Sequence, residues 1–407
     1  MRFASAISTA VEAEASVEEL LEVIEARLTA GMVDLAFLFS SAHFEDDLER
    51  VVERLTTRLP HAVIVGCTAG GTLGDSMELE GVPSMSLLAG SLPGVDLRPF
   101  HINQAQLDGA KAISDWERLV GVSPESGPVF LALADPFKFN VADFVDRLNG
   151  MYPGAPLVGG VASAGTEPDQ NRLIIEGRVV REGVVGLALT GRLIVETVVS
   201  QGCRPIGKPF VITKGERNVV FELGGRSALR QLHDVLVGLT GRDEKLARQS
   251  LFVGRMIDEH QSDLTRGGFL IQNIIGVDRK SGALGIAGQA RVGSTVRFHV
   301  RDAESADEDL RAMLSPLVGT DVRGALMFNC NGRGTNMWPA PNHDIDLLRE
   351  LLGDVPVAGF FCSGEFGPVG GTNFIHGFTA SIALIREPVA DGEAEQTSGD
   401  SSVSGAD

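Results

Sequence analysis

The chain has little positive charge, few cysteines and no long apolar run. Lysine and arginine total 35 against 54 aspartates and glutamates in 407 residues, which gives a formal net charge of −19. Such a surplus of negative charge repels phosphate backbones and anionic membrane surfaces. The composition therefore argues against nucleic acid as a partner.

The cysteines are too scattered for a disulfide framework or a zinc site. Cys67, Cys203, Cys330 and Cys362 lie far apart and form no CxxC pair, which is typical of reduced thiols in the cytoplasm. No apolar run approaches the roughly 18 residues of a membrane helix. The N-terminal segment also lacks the unbroken apolar core of a signal peptide. We therefore expect a cytoplasmic protein without membrane insertion.

Sequence motifs of the common enzyme classes are missing as well. The chain contains no GxxxxGK[ST], HExxH or GxSxG pattern, so neither a P-loop, a zinc protease nor a nucleophile elbow is indicated. The sequence predicts no catalytic residue.

The stretch from Gly324 to Thr379 is the most informative part of the chain. Two short apolar runs, 325–328 and 355–361, each lead into a glycine-rich polar loop. The runs are typical of buried strands, and glycine lets backbone N–H groups approach a ligand closely. The stretch therefore predicts a pocket rim.

The same pattern occurs twice upstream and predicts a recurring strand–loop–helix–strand unit. The first copy combines strands 33–41 and 61–71 with an amphipathic helix between them, and the second combines strands 129–136 and 155–165 with a helix over 141–151. We expect each second strand to end at a glycine, namely Gly66, Gly159 and Gly359. The loops beyond them should share one sheet edge, where ligands bind in open α/β sheets.

These patterns indicate a mixed α/β and α+β fold, with two related layered domains whose β-sheets are covered by amphipathic helices. The expected divisions are an N-terminal amphipathic helix in 1–30, a first domain over 31–216, a second over 217–387 and a disordered acidic tail over 388–407. In the second domain we expect strands at 219–225, 269–278 and 294–302 and a helix over 227–239.

Short segments in both halves resemble the FIST family of sensory domains. NCNGRG (329–334), VPVAGFFCSGEFGP (355–368) and HGFT (376–379) are similar to its C-terminal signatures, and VGCTAGG (65–71) and VGGVASAG (158–165) are similar to its N-terminal elements. The resemblance covers about residues 30–386. It implies a protein without catalytic activity that binds a small ligand, with amino acids or related metabolites favoured, and signals to a separate partner protein. Some members of the family are haem-binding gas sensors.

The candidate ligand-binding residues lie in or beside the glycine-rich loops. They are Asn329, Cys330, Gly332, Arg333, Gly334, Cys362, Ser363, Gly364, Glu365, Asn373, His376, Cys67 and Thr68.

Arg333 and Glu365 would together suit a zwitterion such as an amino acid. The guanidinium of Arg333 would pair with the ligand carboxylate and the carboxylate of Glu365 with its ammonium group. The alternatives are a surface or interdomain salt bridge for Arg333 and bonds to nearby backbone amides for Glu365.

The cysteines and His376 leave further alternatives open. A free cysteine is either a small buried hydrophobe or a reactive thiol. His376 is either hydrogen-bonded scaffolding or, in a haem-binding member, the axial ligand of the iron. A Cys330 nucleophile with His376 as its base would make the protein an enzyme, which is the alternative to a sensor.

Overall fold

The computed structural model describes residues 1–29, 32–257 and 268–388, and the chain folds there as a mixed α/β protein, as predicted. The helices are α1 (Ala13–Arg27), α2 (Leu48–Arg58), α3 (Gln104–Gly109), α4 (Ile113–Val120), α5 (Val141–Met151), α6 (Ala228–Val237), α7 (Arg242–Ala247), α8 (Ala303–Leu314) and α9 (His343–Leu352). The predicted disordered tail lies, from residue 389 onward, outside the described residues.

The strands form four sheets. They are β1 (Arg2–Ser8), β2 (Leu35–Ser41), β3 (Val63–Ala69), β4 (Gly71–Gly74), β5 (Met77–Glu80), β6 (Met85–Ser91), β7 (Val95–Ile102), β8 (Val129–Ala134), β9 (Leu157–Val161), β10 (Leu173–Ile175), β11 (Arg178–Val180), β12 (Val184–Gly191), β13 (Ile194–Ser200), β14 (Cys203–Glu216), β15 (Val219–Leu223), β16 (Arg226–Ser227), β17 (Leu251–Met256), β18 (Phe269–Asp278), β19 (Ala283–Ile286), β20 (Thr295–Arg301), β21 (Gly324–Cys330), β22 (Val357–Cys362), β23 (Glu365–Val369), β24 (Thr372–His376) and β25 (Ala380–Arg386).

Three of the sheets repeat one arrangement. In each, two parallel strands joined by a helix occupy the middle: β2–α2–β3, β8–α5–β9 and β21–α9–β22. An antiparallel strand (β6, β12 or β25) lies beside the first of them, and a further strand (β1, β7 or β13) lies outside that one. We name these unit 1 (2–91), unit 2 (95–191) and unit 3 (194–200 with 303–386). The recurring strand–loop–helix–strand unit is thus confirmed, whereas strands β1 and β7 were missed.

Each of these sheets is completed by a β-hairpin from another unit. The β4–β5 hairpin of unit 1 adds to β22 of unit 3, the β10–β11 hairpin of unit 2 adds to β3 of unit 1, and the β23–β24 hairpin of unit 3 adds to β9 of unit 2. Every unit gives one hairpin and receives one. The exchange therefore links the three units in a closed ring.

The inner faces of the three sheets pack on one shared core. The Phe39 ring of unit 1 lies 6.1 Å from that of Phe328 and 5.1 Å from that of Phe360, both in unit 3, and Leu133 brings unit 2 into the same cluster. The outer faces are covered by helices, with α1 and α2 on the first sheet, α3 to α5 on the second, and α8 and α9 on the third. Amphipathic helices therefore cover the sheets, as predicted.

Equivalent glycines let the two parallel strands of each unit approach one another. A Cβ atom at Gly66, Gly159 or Gly359 would lie 2.0, 1.9 or 1.8 Å from a carbonyl oxygen of the neighbouring strand. The prediction that these glycines end the second strands was wrong, because all three lie inside β3, β9 and β22. Glycine serves here to admit a neighbouring backbone rather than to turn the chain.

The fourth sheet is inserted into unit 3 between β13 and α8. Its strand order is β14-β20-β17-β18-β19-β15-β16, and β14 also pairs with β15, so the sheet closes on itself. Strands β15, β18 and β20 and helix α6 match the predicted elements within about two residues. The expected domain boundary at 216/217 falls in the turn between β14 and β15.

Candidate functional site

The glycine-rich loops of the three units meet at one point. Gly70, Ser163 and Ser363 each stand four residues after one of the shared glycines. The Gly70 N–H donates to Ser163 Oγ at 2.9 Å, and Ser163 Oγ donates to the Phe361 carbonyl beside Ser363. We name Gly70, Ser163, Asn331 and Ser363 the loop junction. All but the half-buried Ser163 are exposed.

Hydrogen bonds hold the loop junction together, but one of them is weak. Asn331 N–H donates to the Cys362 carbonyl at 2.9 Å, and Ser363 N–H donates to the Val161 carbonyl at 3.0 Å. The Asn331 Nδ2 to Ser363 Oγ distance is 3.4 Å, at the long end of the range for a hydrogen bond. A ligand can therefore take over these amide and hydroxyl groups at small cost.

Beneath the loop junction lie a thiol and a buried carboxyl group. Cys330 is half-buried, and the Gly332 N–H points at its Sγ atom at 3.4 Å. Burial and then the neighbouring Glu365 raise the pKa of the Cys330 thiol to about 11. Burial likewise raises the pKa of Glu365 well above its usual range. The Cys330 thiol is accordingly protonated at neutral pH.

Glu365 is only partly satisfied by the protein. Its Oε2 accepts the Thr379 N–H at 3.2 Å, while Oε1 has no hydrogen-bond partner within the described ranges. An unpaired buried carboxyl oxygen is uncommon in folded proteins and marks a site that an unseen group can complete. Glu365 therefore has an acceptor to offer.

Cys67 and Cys362 are part of the shared core of the three sheets. Both are fully buried, and burial raises the pKa of each thiol well above its ordinary value. Cys362 ends β22 in register with Cys330, which ends β21. Cys330 is the only cysteine that is not buried.

Arg333 is fully buried, and its guanidinium is already paired. Its Nε and Nη2 atoms each lie 2.7 Å from a carboxylate oxygen of Asp344 in the first turn of α9. Burial would raise the pKa of Asp344, but the guanidinium lowers it to about 2. Arg333 thus forms a salt bridge, but the bridge is buried within unit 3 and is neither at the surface nor between domains. A ligand carboxylate would have to displace Asp344.

The neighbours of Arg333 also face inward. Asn329 donates through Nδ2 to Asp344 at 2.9 Å and is fully buried. Gly334 leaves room for the carboxylate of Glu80, which accepts the Thr335 N–H at 2.9 Å. Of the NCNGRG segment, only Asn331 is exposed at the surface.

Asn373 and Thr68 hold the exchanged hairpins in place. Asn373 Oδ1 accepts the Leu157 N–H at 2.8 Å, and its Nδ2 donates to Asn149 and to the Ala155 carbonyl, both at 2.9 Å. Thr68 Oγ1 accepts the Arg172 N–H at 2.8 Å. Every polar atom of the Asn373 side chain is used, so this residue has no group left for a ligand.

His376 is part of the β23–β24 hairpin. Its Nε2 lies 3.0 Å from the Gly367 carbonyl, and burial lowers the pKa of the imidazole to about 4. The ring is therefore neutral, and haem iron at Nε2 would have to replace this hydrogen bond. With a protonated Cys330 thiol and an engaged imidazole, the arrangement offers no activated nucleophile.

The loop junction includes two groups that the sequence did not single out. Gly70 and Ser163 were not among the candidate residues, although the repeat marks both as counterparts of Ser363. Gly364 lies inside the fold, where its carbonyl accepts the Val161 N–H at 2.8 Å.

Family comparisons agree with this architecture. The FIST N domain model matches residues 34–226 and the FIST C domain model matches residues 228–368. The chain belongs to the FIST family. FIST domains form a sensory family that binds small ligands. No helix within the described residues is long and apolar enough to cross a membrane.

Relatives of the chain occur in bacteria and archaea. An uncharacterized protein of Mycobacterium tuberculosis is 36% identical over 389 residues, which cover 95% of this chain and all of that protein. An uncharacterized protein of Mycobacterium bovis is 33% identical over 95% of this chain and 99% of its own length. One of Methanocaldococcus jannaschii is 25% identical over 52% of this chain and 42% of its own.

Among solved structures, the chain is similar to a cyanuric acid hydrolase from A. caulinodans, and the match covers 95% of this chain and all of the hydrolase. The TM-score is 0.36 and the sequence identity is 9%. At this level the likeness supports no conclusion about function.

Proposed function

We propose that the protein is a cytoplasmic sensor that binds a small metabolite, an amino acid or a related compound, at the loop junction and signals to a separate partner protein. The observation that carries the proposal is the meeting of three loops from three units, with the amide of Asn331 and the hydroxyl of Ser363 on exposed residues. The family assignment supports the sensory role.

The position of the loop junction suits a sensor. Gly70 lies between β3, in its own sheet, and β4, in the sheet of unit 3, and Ser363 lies between β22 and the exchanged strand β23. A ligand that draws these loops together shifts strands of neighbouring sheets relative to one another. Such a change can reach the protein surface as a small rearrangement of the units.

Two steps test the proposal. Native mass spectrometry of the freshly purified protein identifies a retained small molecule, and a thermal-shift panel of amino acids and related metabolites finds compounds that raise the melting temperature. Asn331→Ala and Ser363→Ala should each weaken binding about 2- to 10-fold, because each removes one hydrogen bond, while leaving the unliganded melting temperature unchanged.

Ser126→Ala is a matched control, because Ser126 is an exposed serine in a loop of unit 2 away from the junction. Its ligand affinity should equal that of the wild type. Unchanged affinity in both junction variants would show that the ligand binds elsewhere.

A further inference from the structure

A buried guanidinium next to the candidate site has no carboxylate partner. Arg301, at the end of β20, is 4% exposed, and its Nε and Nη2 atoms both donate to the Gln201 carbonyl, at 3.2 and 3.0 Å. Its Nη1 has no hydrogen-bond partner, and no carboxylate of residues 1–29, 32–257 or 268–388 forms an ion pair with it. A buried guanidinium donor without an acceptor is costly, so a ligand anion at Nη1 is favoured.

Two aromatic rings enclose this guanidinium. Its central carbon lies 4.4 Å from the Phe252 ring and 4.7 Å from the Phe378 ring. Such stacking stabilises a cation, but it does not replace the hydrogen bonds that Nη1 has lost from water. The rings keep the surroundings apolar, in which a charge-assisted hydrogen bond is stronger than in water.

Phe378 has the features of a movable cover. It is 39% exposed, and its backbone φ is +60°, a conformation that is rare for bulky side chains. Among the other described non-glycine residues with positive φ there is no aromatic side chain. Such strain persists where the surroundings impose it and is frequent at ligand clamps.

The Phe378 ring separates Arg301 from the loop junction. The ring also lies against Gly332, next to Asn331, where a Cβ atom would lie 2.5 Å from the ring. Cys330 lies near both the loop junction and Arg301. Its thiol pKa is raised by Glu365 and lowered by the charge of Arg301. Displacement of the ring would thus open a short path from the junction to the guanidinium.

We infer that Phe378 is a gate over a carboxylate-binding subsite, in which Arg301 Nη1 binds the carboxylate of a small ligand that occupies the loop junction. This inference rests on the proposed function and gives the ligand a chemical class. It assigns the ligand carboxylate to Arg301 instead of Arg333, because the guanidinium of Arg333 is already paired with Asp344.

Sodium propionate and its uncharged isostere propionamide are suitable probes. Their binding is measured by saturation-transfer NMR at constant ionic strength. We expect propionate to bind the wild-type protein at least 10-fold more tightly than propionamide. Phe378→Ala should bind propionate at least as tightly and exchange it faster, whereas Arg301→Gln should lose at least 10-fold in affinity. Phe137→Ala, which removes another exposed phenylalanine, should behave as the wild type.

Equal binding of propionate and propionamide, or no propionate binding to either the wild type or Phe378→Ala, would overturn the inference. If Arg301→Gln fails to fold, the ratio of propionate affinity to propionamide affinity in the wild type and in Phe378→Ala still tests the inference. Failure of this inference can be told from failure of the proposed function, because Ser363→Ala should weaken binding of the metabolite found by mass spectrometry about 2- to 10-fold but leave the affinity for propionate unchanged.

Discussion

Replacement of Arg333 by alanine should lower the free energy of unfolding by about 3–5 kcal/mol, the usual cost of removing one partner from a buried ion pair. Two charge-assisted hydrogen bonds of 2.7 Å are lost, and both side chains are fully buried. Asp344 then keeps Asn329 Nδ2 at 2.9 Å and His343 Nδ1 at 3.2 Å. Neither is a permanent cation, so the carboxylate is left buried without full compensation.

Urea unfolding followed by the fluorescence of Trp338 measures this cost locally. The Trp338 ring stacks on His343 at 3.4 Å and lies 5.7 Å from the guanidinium carbon of Arg333. The chain has one other tryptophan, Trp116, and a Trp116→Phe background isolates the signal. Arg349→Ala on the same helix is the control. Its ion pair with Asp354 is solvent-exposed and should contribute less than about 1 kcal/mol.

The pH dependence provides a second measure of the same pair. The folded-state pKa of Asp344, about 2, lies below its ordinary value of 3.8. Its contribution is therefore complete above about pH 4 and is lost as the pH falls through 2. Arg333→Ala should lack most of this acid transition. A cost below 1 kcal/mol in urea, with the acid profile unchanged, would refute the assignment of Arg333 as a structural residue.

Three further predictions concern single positions. Burial and the charge of Asp344 raise the pKa of Glu78 to about 8. The contribution of protonated Glu78 to the free energy of unfolding is therefore complete below pH 4.5 and is lost as the pH rises to 8. Glu78→Gln should flatten the decline in the urea midpoint over that range. Iodoacetamide should label Cys330 alone, at a rate that rises about tenfold per pH unit up to about pH 11, and mass mapping that finds another labelled cysteine would contradict this. Gly159→Ala should abolish soluble expression, because its Cβ would lie 1.9 Å from a carbonyl oxygen. Gly150→Ala in helix α5 has open space around it and should add about 0.5–1 kcal/mol to the free energy of unfolding.

The units could be predicted from sequence because their signals are local. Buried strands such as β2 begin with an unbroken apolar run, and the inward residues of α2 recur with helical spacing. The hairpin exchange could not be predicted, because the pattern of a strand does not specify which edge receives it. The β4–β5 hairpin follows β3 directly yet pairs with β22.

The loops of the candidate site could be chosen from sequence for the same reason. Glycine-rich loops after buried strands indicate a pocket rim, and that pocket stays a prediction. Polar residues in these loops can also serve the scaffold, as Asn373 does when it holds an exchanged hairpin. Arg301 was missed because it comes from the inserted sheet, which only tertiary packing brings to the site.

The hairpin exchange has a consequence for synthesis of the chain on the ribosome. Glu78, in the β4–β5 hairpin, accepts the Ile345 N–H from a residue 267 positions later in the chain. At 5–20 residues per second the hairpin waits roughly 15–50 s for its partner sheet to emerge. During that time its open strand edges can pair with other nascent chains. The strand edges of the first half of the protein therefore need to be kept from such pairing, by chaperones or by local unfolding and refolding of the hairpin, until the last unit has left the ribosome.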